Sequence, residues 1–323
     1  MSAHPSPTSS ISTADRLAGA IWGQFVGDAA ALGSHWIYDL DELEDQFPDG
    51  VQGFDAPGEG HYHAGKVPGD LTHYGDGALV LLRSLAAKGG FDLADYAERF
   101  FSTFGEGYTG YRDKATNGTI AKKKSWERSS PLLPYTNQHG ADDDQPGTIT
   151  RLAPLVVSAC GEDEDGFLTT IATATRFLQD NAVAIAYSQA HAIVLRELFN
   201  GATPDEALDL ASTVSPEIRD KVIAVRAVTN VEVVDATRDF GQACPLPNSF
   251  PAALHAFLVH ADVEGFKPTI LSILRAGGDS AARAGMAGAW LGAHLGQNAI
   301  PVAWKERLTA REEISRLTRL VTS

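Results

Sequence analysis

Cysteine is scarce in this chain. Only Cys160 and Cys244 occur in 323 residues, too few for a disulfide framework and without the paired spacing of a zinc site. A reducing, cytoplasmic compartment is therefore the expectation. Long apolar runs are missing as well: no stretch approaches the ~18 uncharged apolar residues of a membrane-spanning helix. Basic residues are in deficit, 26 Lys and Arg against 41 Asp and Glu, for a formal net charge of −15. Such a surface repels nucleic-acid phosphates and anionic lipid, so neither nucleic acid nor membrane is an expected partner. A small-molecule ligand held by a local cluster of donors remains compatible with it. Strand signatures are lacking too, since nowhere do β-branched or aromatic residues alternate with polar ones over a strand's length. Residues 1–13, MSAHPSPTSSIST, hold no apolar core and no arginine. They read as a disordered tail rather than a signal or transit peptide.

What is present is helical. Thr13, a candidate N-cap, opens a segment with Leu17, Ala20, Ile21, Phe25 and Ala29 on one helical face. Its many small residues, among them Gly19, Gly23 and Gly27, would let a neighbouring helix approach closely. Helical patterns recur at about 77–85, 93–104, 166–180, 182–199, 204–214, 217–239, 249–259 and 268–275, and a last large helix runs from Asp279 to His294. Residues 45–76 show no period, and a loop that long inside a domain is usually functional or disordered. Residues 108–134 read as a second loop, carrying the basic patch Arg112, Lys114, Lys122, Lys123 and Lys124. No compositional shift marks a linker. The expectation is one all-α domain over 14–323, with sites built by its loops.

Three places set glycine beside aspartate next to a small-residue helix: Gly27-Asp28, Gly75-Asp76-Gly77 and Gly277-Gly278-Asp279-Ser280. An aspartate at a helix start caps free amides and gains from the helix dipole, about 1 kcal/mol each. Alternatively, several such carboxylates converge on one pocket to hold a hard cation such as Mg2+, which takes oxygen ligands.

The strings VGDAAALGSHW, THYGDGALVLL, TITRLAPLV, RAGGDSAARAGMAGAWLGAHLG and NAIPVAWKERL occur in the order of the motifs of the ADP-ribosylglycohydrolase family, which the chain resembles from about residue 16 to 308. HWIYD, YGD, GYRDKAT and GGDS-x-x-R resemble a divergent branch that includes the J1-type crystallins, structural lens proteins. The resemblance implies a compact orthogonal bundle of helices with a loop-built cleft. It also implies a hydrolase that cleaves a glycosidic bond to ribose in an ADP-ribosylated or nucleotide-like substrate, with two magnesium ions held between two acidic loops. Only half of that ligand set is present: Gly75-Asp76-Gly77-Ala78 stands for Thr-Asp-Asp-Thr, and Asp279-Ser280-Ala281-Ala282 for Asp-Thr-Asp-Thr. Asp76 and Asp279 would be left to hold one Mg2+ at most, to orient the ligand and to activate water. Arg283, one turn past Asp279, would supply the positive charge of a lost ion and bind phosphate or carboxylate.

Asp28 and Asp39 are further candidates for the catalytic acid or base, with His35 beside them. Tyr38, Tyr74, Asn117, Asp144, Arg151 and Ser280 are the candidate ligand contacts. His61, His63 and His73 lie near the same site in sequence, and His61-x-His63 offers a metal-ligand spacing that is equally an ordinary polar loop. Asp142, Asp143 and Asp144 read as a solvated turn before Arg151, and Lys122–Lys124 as a solvated face. A second function stands beside the hydrolase: a catalytically silent, crystallin-like binding or structural protein. A third is the same fold turned to other small-molecule chemistry.

Overall fold

Two helices dense in glycine and alanine form the centre of the fold. The computed structural model describes residues 11–137 and 139–323. Among these it has sixteen α-helices, two short 3-10 turns and two isolated β-bridges, and no strand. In chain order the helices are α1 (Thr13–Ala31), α2 (Leu40–Gln46), α3 (His73–Lys88), α4 (Leu93–Phe104), α5 (Lys114–Ser129), α6 (Ala153–Ala159), α7 (Glu164–Leu178) and α8 (Ala182–Phe199). The second half contributes α9 (Pro204–Ala211), α10 (Pro216–Ala227), α11 (Val233–Phe240), α12 (Leu246–His260), α13 (Phe266–Arg275), α14 (Ser280–Leu295), α15 (Val302–Arg307) and α16 (Arg311–Val321).

Helices α1 and α14 pack on each other more extensively than any other pair. Their spacing of four places Gly19, Gly23 and Gly27 in one stripe, facing Gly292, Gly288 and Ala284. A Cβ added at any of the three would overlap the facing carbonyl oxygen. Residues 18–31 of α1 and 280–293 of α14 are buried on every side, as expected of helices that are apolar all round and sit in a core. Helices α3, α6, α8, α12 and α13 surround the pair. A single buried cluster runs from Ala18 to Leu317. No helix among the described residues is long and apolar enough to cross a membrane.

Several expectations need correction. Residues 1–10 of the expected tail lie outside the described residues, and its last residue, Thr13, already opens α1. The N-cap is Ser12, whose side chain accepts from the Asp15 N–H at 3.2 Å. The expected basic loop over 108–134 instead contains α5, started by Asp113, whose carboxylate accepts from the Thr116 N–H at 2.6 Å. This helix buries only Ala115, Thr116 and Thr119, so it carries no apolar stripe to be read. The expected helix over 217–239 is two, α10 and α11. Helix α3 starts four residues before position 77, at His73, which puts Asp76 inside its first turn. Asp143 is buried, not solvated: Lys114 Nζ lies 3.1 Å from its Oδ1 and Gln179 donates to its Oδ2 at 3.0 Å.

Candidate functional site

The chain leaves α1 through a turn at residues 32–36 that brings His35 to the first turn of α14. Trp36 follows in the left-handed region, φ 65°, unusual for a bulky side chain. It is held there by an antiparallel bridge. The Trp36 N–H donates to Gly278 O at 2.8 Å, and the Gly278 N–H donates to Ile37 O at 2.7 Å. Gly277 and Gly278 themselves turn at φ 65° and 64°, where a side chain would be strained. Arg283 fastens this loop from below, donating to Gln242 O at 3.2 Å and to Gly277 O. Because its guanidinium is fully buried on backbone carbonyls, Arg283 acts here as a clamp on the Gly277-Gly278 loop. Replacing it with alanine orphans the Gly277 carbonyl, whereas Gln242 O keeps the Asp279 N–H at 3.0 Å, and a loss of about 3 kcal/mol in urea denaturation is expected.

Of the three Gly-Asp junctions, only Asp279 is a cap of its own helix, accepting from the Ala282 N–H at 3.3 Å. Its other oxygen accepts from Tyr74 OH at 3.1 Å, and His35 Nδ1 lies 3.5 Å from Oδ1. Burial raises its pKa against the opposing charge of Arg283. Asp28, near the end of α1, caps a different helix. It accepts from the Thr72 N–H at 2.8 Å, from the Thr72 hydroxyl, and from the Gly75 N–H at 3.2 Å, so it closes the N-terminus of α3. Burial pushes the pKa of Asp28 up to about 7, against the bonds from Thr72.

Asp76 is the half-buried carboxylate of the group. Lys66 Nζ donates to its Oδ2 at 2.7 Å, and Tyr108 OH does so at 3.4 Å. Burial raises its pKa and Lys66 lowers it. Arg151 is buried beneath α3 and donates to Asp113 Oδ2 at 2.9 Å. His35, His63 and His73 are buried side by side, and burial holds all three below the usual histidine range, His63 at about 3. Trp36 stacks on His35 at 4.0 Å between centroids, with Tyr62 and Tyr111 edge-on to its indole at 5.0 and 4.8 Å.

A family model described as ADP-ribosylglycohydrolase matches residues 9–323. The chain belongs to the ADP-ribosylglycohydrolase family. Crystallin J1A of Tripedalia cystophora is 26% identical over 311 residues, 93% of this chain and 94% of the relative. Crystallin J1B of the same animal is 27% identical over 321 residues, 95% and 96% of the two chains. A solved structure titled "ADP-ribosylglycohydrolase-related protein complex" superposes with a TM-score of 0.72 at 24% identity, covering 96% of this chain and 98% of that one. At that identity the likeness is one of fold.

Against the ADP-ribosylglycohydrolase pattern, the site residues of this chain do not fit a magnesium pair. In the Gly75-Asp76-Gly77 loop the positions of the missing ligands are crowded by other side chains. A Cβ at Gly75 would overlap the Asp28 carboxylate, and a Cβ at Gly77 would overlap the Arg151 guanidinium. A threonine and an aspartate cannot simply be restored there. Asp76 is already neutralised by Lys66, and both oxygens of Asp279 accept hydrogen bonds. Mg2+ demands near-octahedral oxygen coordination, which these groups do not offer.

The other expected contacts are dispersed. Asp39 is exposed and caps α2, accepting from the Asp41 and Glu42 N–H groups at 2.9 and 3.3 Å. Tyr38 is 44% exposed, with its hydroxyl 3.7 Å from Cys244 Sγ. Asn117 is exposed on α5 and donates to Arg112 O at 2.8 Å. Asp144 is half-buried and its backbone carbonyl accepts from the Leu246 N–H at 2.9 Å. Ser280 is fully buried at the start of α14. Lys66, Tyr108, Trp36, Tyr62 and Tyr111 were not among the site residues expected from sequence. Lys66 had no readable signal, lying ten positions before Asp76 in a segment without period.

Proposed function

We propose that this chain is a hydrolase of a glycosidic bond to ribose that works without the family's magnesium pair. The substrate class is ADP-ribosyl or nucleotide-like. The observation that carries this reading is Asp76, the half-buried carboxylate in the family's acidic-loop position, held by a 2.7 Å bond from Lys66. The half-buried ring of Tyr108 bonds to it through its hydroxyl, and the mutually packed rings of Trp36, Tyr62 and Tyr111 offer stacking faces for a base or a sugar.

In this reading Asp76 takes a proton from a water as that water bonds to the ribose anomeric carbon and the glycosidic bond breaks. Lys66 supplies the fixed positive charge beside the carboxylate, and its ammonium or the Tyr108 hydroxyl returns a proton to the leaving group. Asp279, His35 and Arg283 are positioning residues, because they are buried and bonded within the protein. Asp76→Asn is expected to lower turnover of an ADP-ribosylated substrate by at least about 100-fold, with turnover unchanged in EDTA. ADP-ribose is expected to raise the melting temperature equally with Mg2+ and with EDTA. Turnover that is lost in EDTA and returns only on adding Mg2+ would sink the magnesium-free reading.

The occupied space at Gly75 and Gly77 supports a second reading, a catalytically silent protein like the crystallins it resembles. No turnover and no thermal shift with ADP-ribose under any condition would decide for it.

A further inference from the structure

Three histidines from three separate segments meet behind Trp36: His35 from the turn after α1, His63 from the long loop, and His73 from the first turn of α3. One ring nitrogen of each lies within 4.8 Å of those of the other two. His63 Nε2 and His73 Nδ1 are 3.3 Å apart. The three side chains are 0%, 2% and 2% exposed. Each also keeps one buried nitrogen without a hydrogen-bond partner: His35 Nε2, His63 Nδ1 and His73 Nε2. Buried polar nitrogens of a native protein are almost always partnered; of the three orphans, His35 Nε2 is the one an ion shared with His63 Nε2 and His73 Nδ1 would satisfy.

We infer that His35, His63 and His73 bind one divalent transition-metal ion of the zinc class. Four-coordinate zinc takes imidazole nitrogens at about 2.0–2.1 Å, which puts tetrahedral neighbours about 3.3 Å apart. The His63–His73 pair already has that separation. Imidazole donors suit zinc, copper, nickel or iron and not magnesium, so this site is distinct in chemistry from the family's carboxylate loops. It does not depend on the hydrolase reading.

Two of the three rings have a carboxylate behind them. Ligating histidines usually direct their second nitrogen at a carboxylate or carbonyl, which fixes the tautomer. Behind His35 stands Asp279, 3.5 Å from Nδ1. Behind His73 stands Asp113, 3.9 Å from Nε2. Binding through His35 Nε2 and His73 Nδ1, beside His63 Nε2, puts the proton on the opposite nitrogens, and at His35 it replaces the bond that Nδ1 accepts from the Ala281 N–H at 3.3 Å. His61 secures the loop that delivers His63. Its Nε2 donates to His35 O at 2.7 Å, and its Nδ1 accepts from the His63 N–H at 3.0 Å. Three protein ligands leave the fourth position to a water or a small anion.

The full chain, stripped with EDTA and exchanged into chelator-free buffer, is titrated with Zn2+ and with Co2+. Expected are one equivalent of Zn2+, retained in excess Mg2+, and a Co2+ complex with the intense visible bands of four-coordination. His63→Asn and His73→Asn are each expected to weaken binding at least about 100-fold. Cys244→Ser should leave the bands and stoichiometry unchanged. No stoichiometric Zn2+, a weak octahedral-type Co2+ spectrum, or full binding by His63→Asn would each overturn the proposal. Should a variant fail to fold, the wild-type Co2+ spectrum and Zn2+ stoichiometry still decide.

Discussion

Gly23→Val is expected to destabilise the protein by more than about 3 kcal/mol or to prevent folding. Position 23 sits where α1 crosses α14, and a Cβ there would overlap Gly288 O. Neither partner can yield locally. The obstructing atom is backbone, both helices are buried on every side, and moving one strands the whole stripe from Gly19 to Gly27. Gly285→Ala in the facing helix, α14, is the control. Its added Cβ would meet only Gln24 O, at 4.0 Å, so the gain in helix propensity should leave it neutral or up to about 1 kcal/mol more stable. Urea denaturation of both variants tests the argument. Equal losses at 23 and 285 would mean that glycine is required there for some reason other than close approach.

Asp28 gives the second large effect, and its sign is opposite to that of most carboxylates. Its pKa is raised from 3.8 to about 7 in the folded protein, chiefly by burial. Between these values the folded state binds the proton and the unfolded state does not. This group's contribution to stability is therefore fully present below pH ~4 and is lost as pH rises to about 7. Above that it is constant. A displacement of this size corresponds to about 4 kcal/mol. Asp28→Asn carries no charge; its one oxygen can accept from the Thr72 hydroxyl and the Gly75 N–H, while its amide nitrogen faces the Thr72 N–H and loses that bond. From whatever level it starts at pH 4, it should gain on the wild type steadily to pH 7 and hold that gain above. Asp28→Ala should start about 3 kcal/mol below the wild type at pH 4, because the donors of Thr72 and Gly75 are left buried without a partner, and should close that gap as pH rises to 7, since it too has no group to titrate. A wild-type-minus-Asn difference that is flat across this range would show that Asp28 ionises normally.

Much of the helical plan was legible. Residues of α1, α8 and α14 announce themselves by period and by small side chains, and the glycine stripe of α1 predicted a close neighbour before α14 was known to be it. Asp279 was readable as a cap because its role is local. Asp28 and Asp76 were placed beside Asp279 by motif, yet their chemistry differs from the motif's. Asp28 closes the start of α3 from 44 positions away, and Asp76 is neutralised by a lysine from the long loop. Helix α5 escaped detection because it buries almost nothing apolar.

The sequence by itself determined that the chain is all-α, where most helices lie, which family it resembles, and that the family's acidic loops are half depleted. These follow from periodicity, glycine content and motif order, all of which are properties of neighbouring residues. Only the tertiary structure showed what surrounds the depleted loops. Arg151 and Asp28 fill the space of the missing ligands, Arg283 is spent on backbone carbonyls, and His35, His63 and His73 share one buried cluster. Asp28 with Gly75, Arg151 with Gly77, and His35 with His63 are each 28 or more positions apart, and pairing across such distances is set by packing, which leaves no local trace.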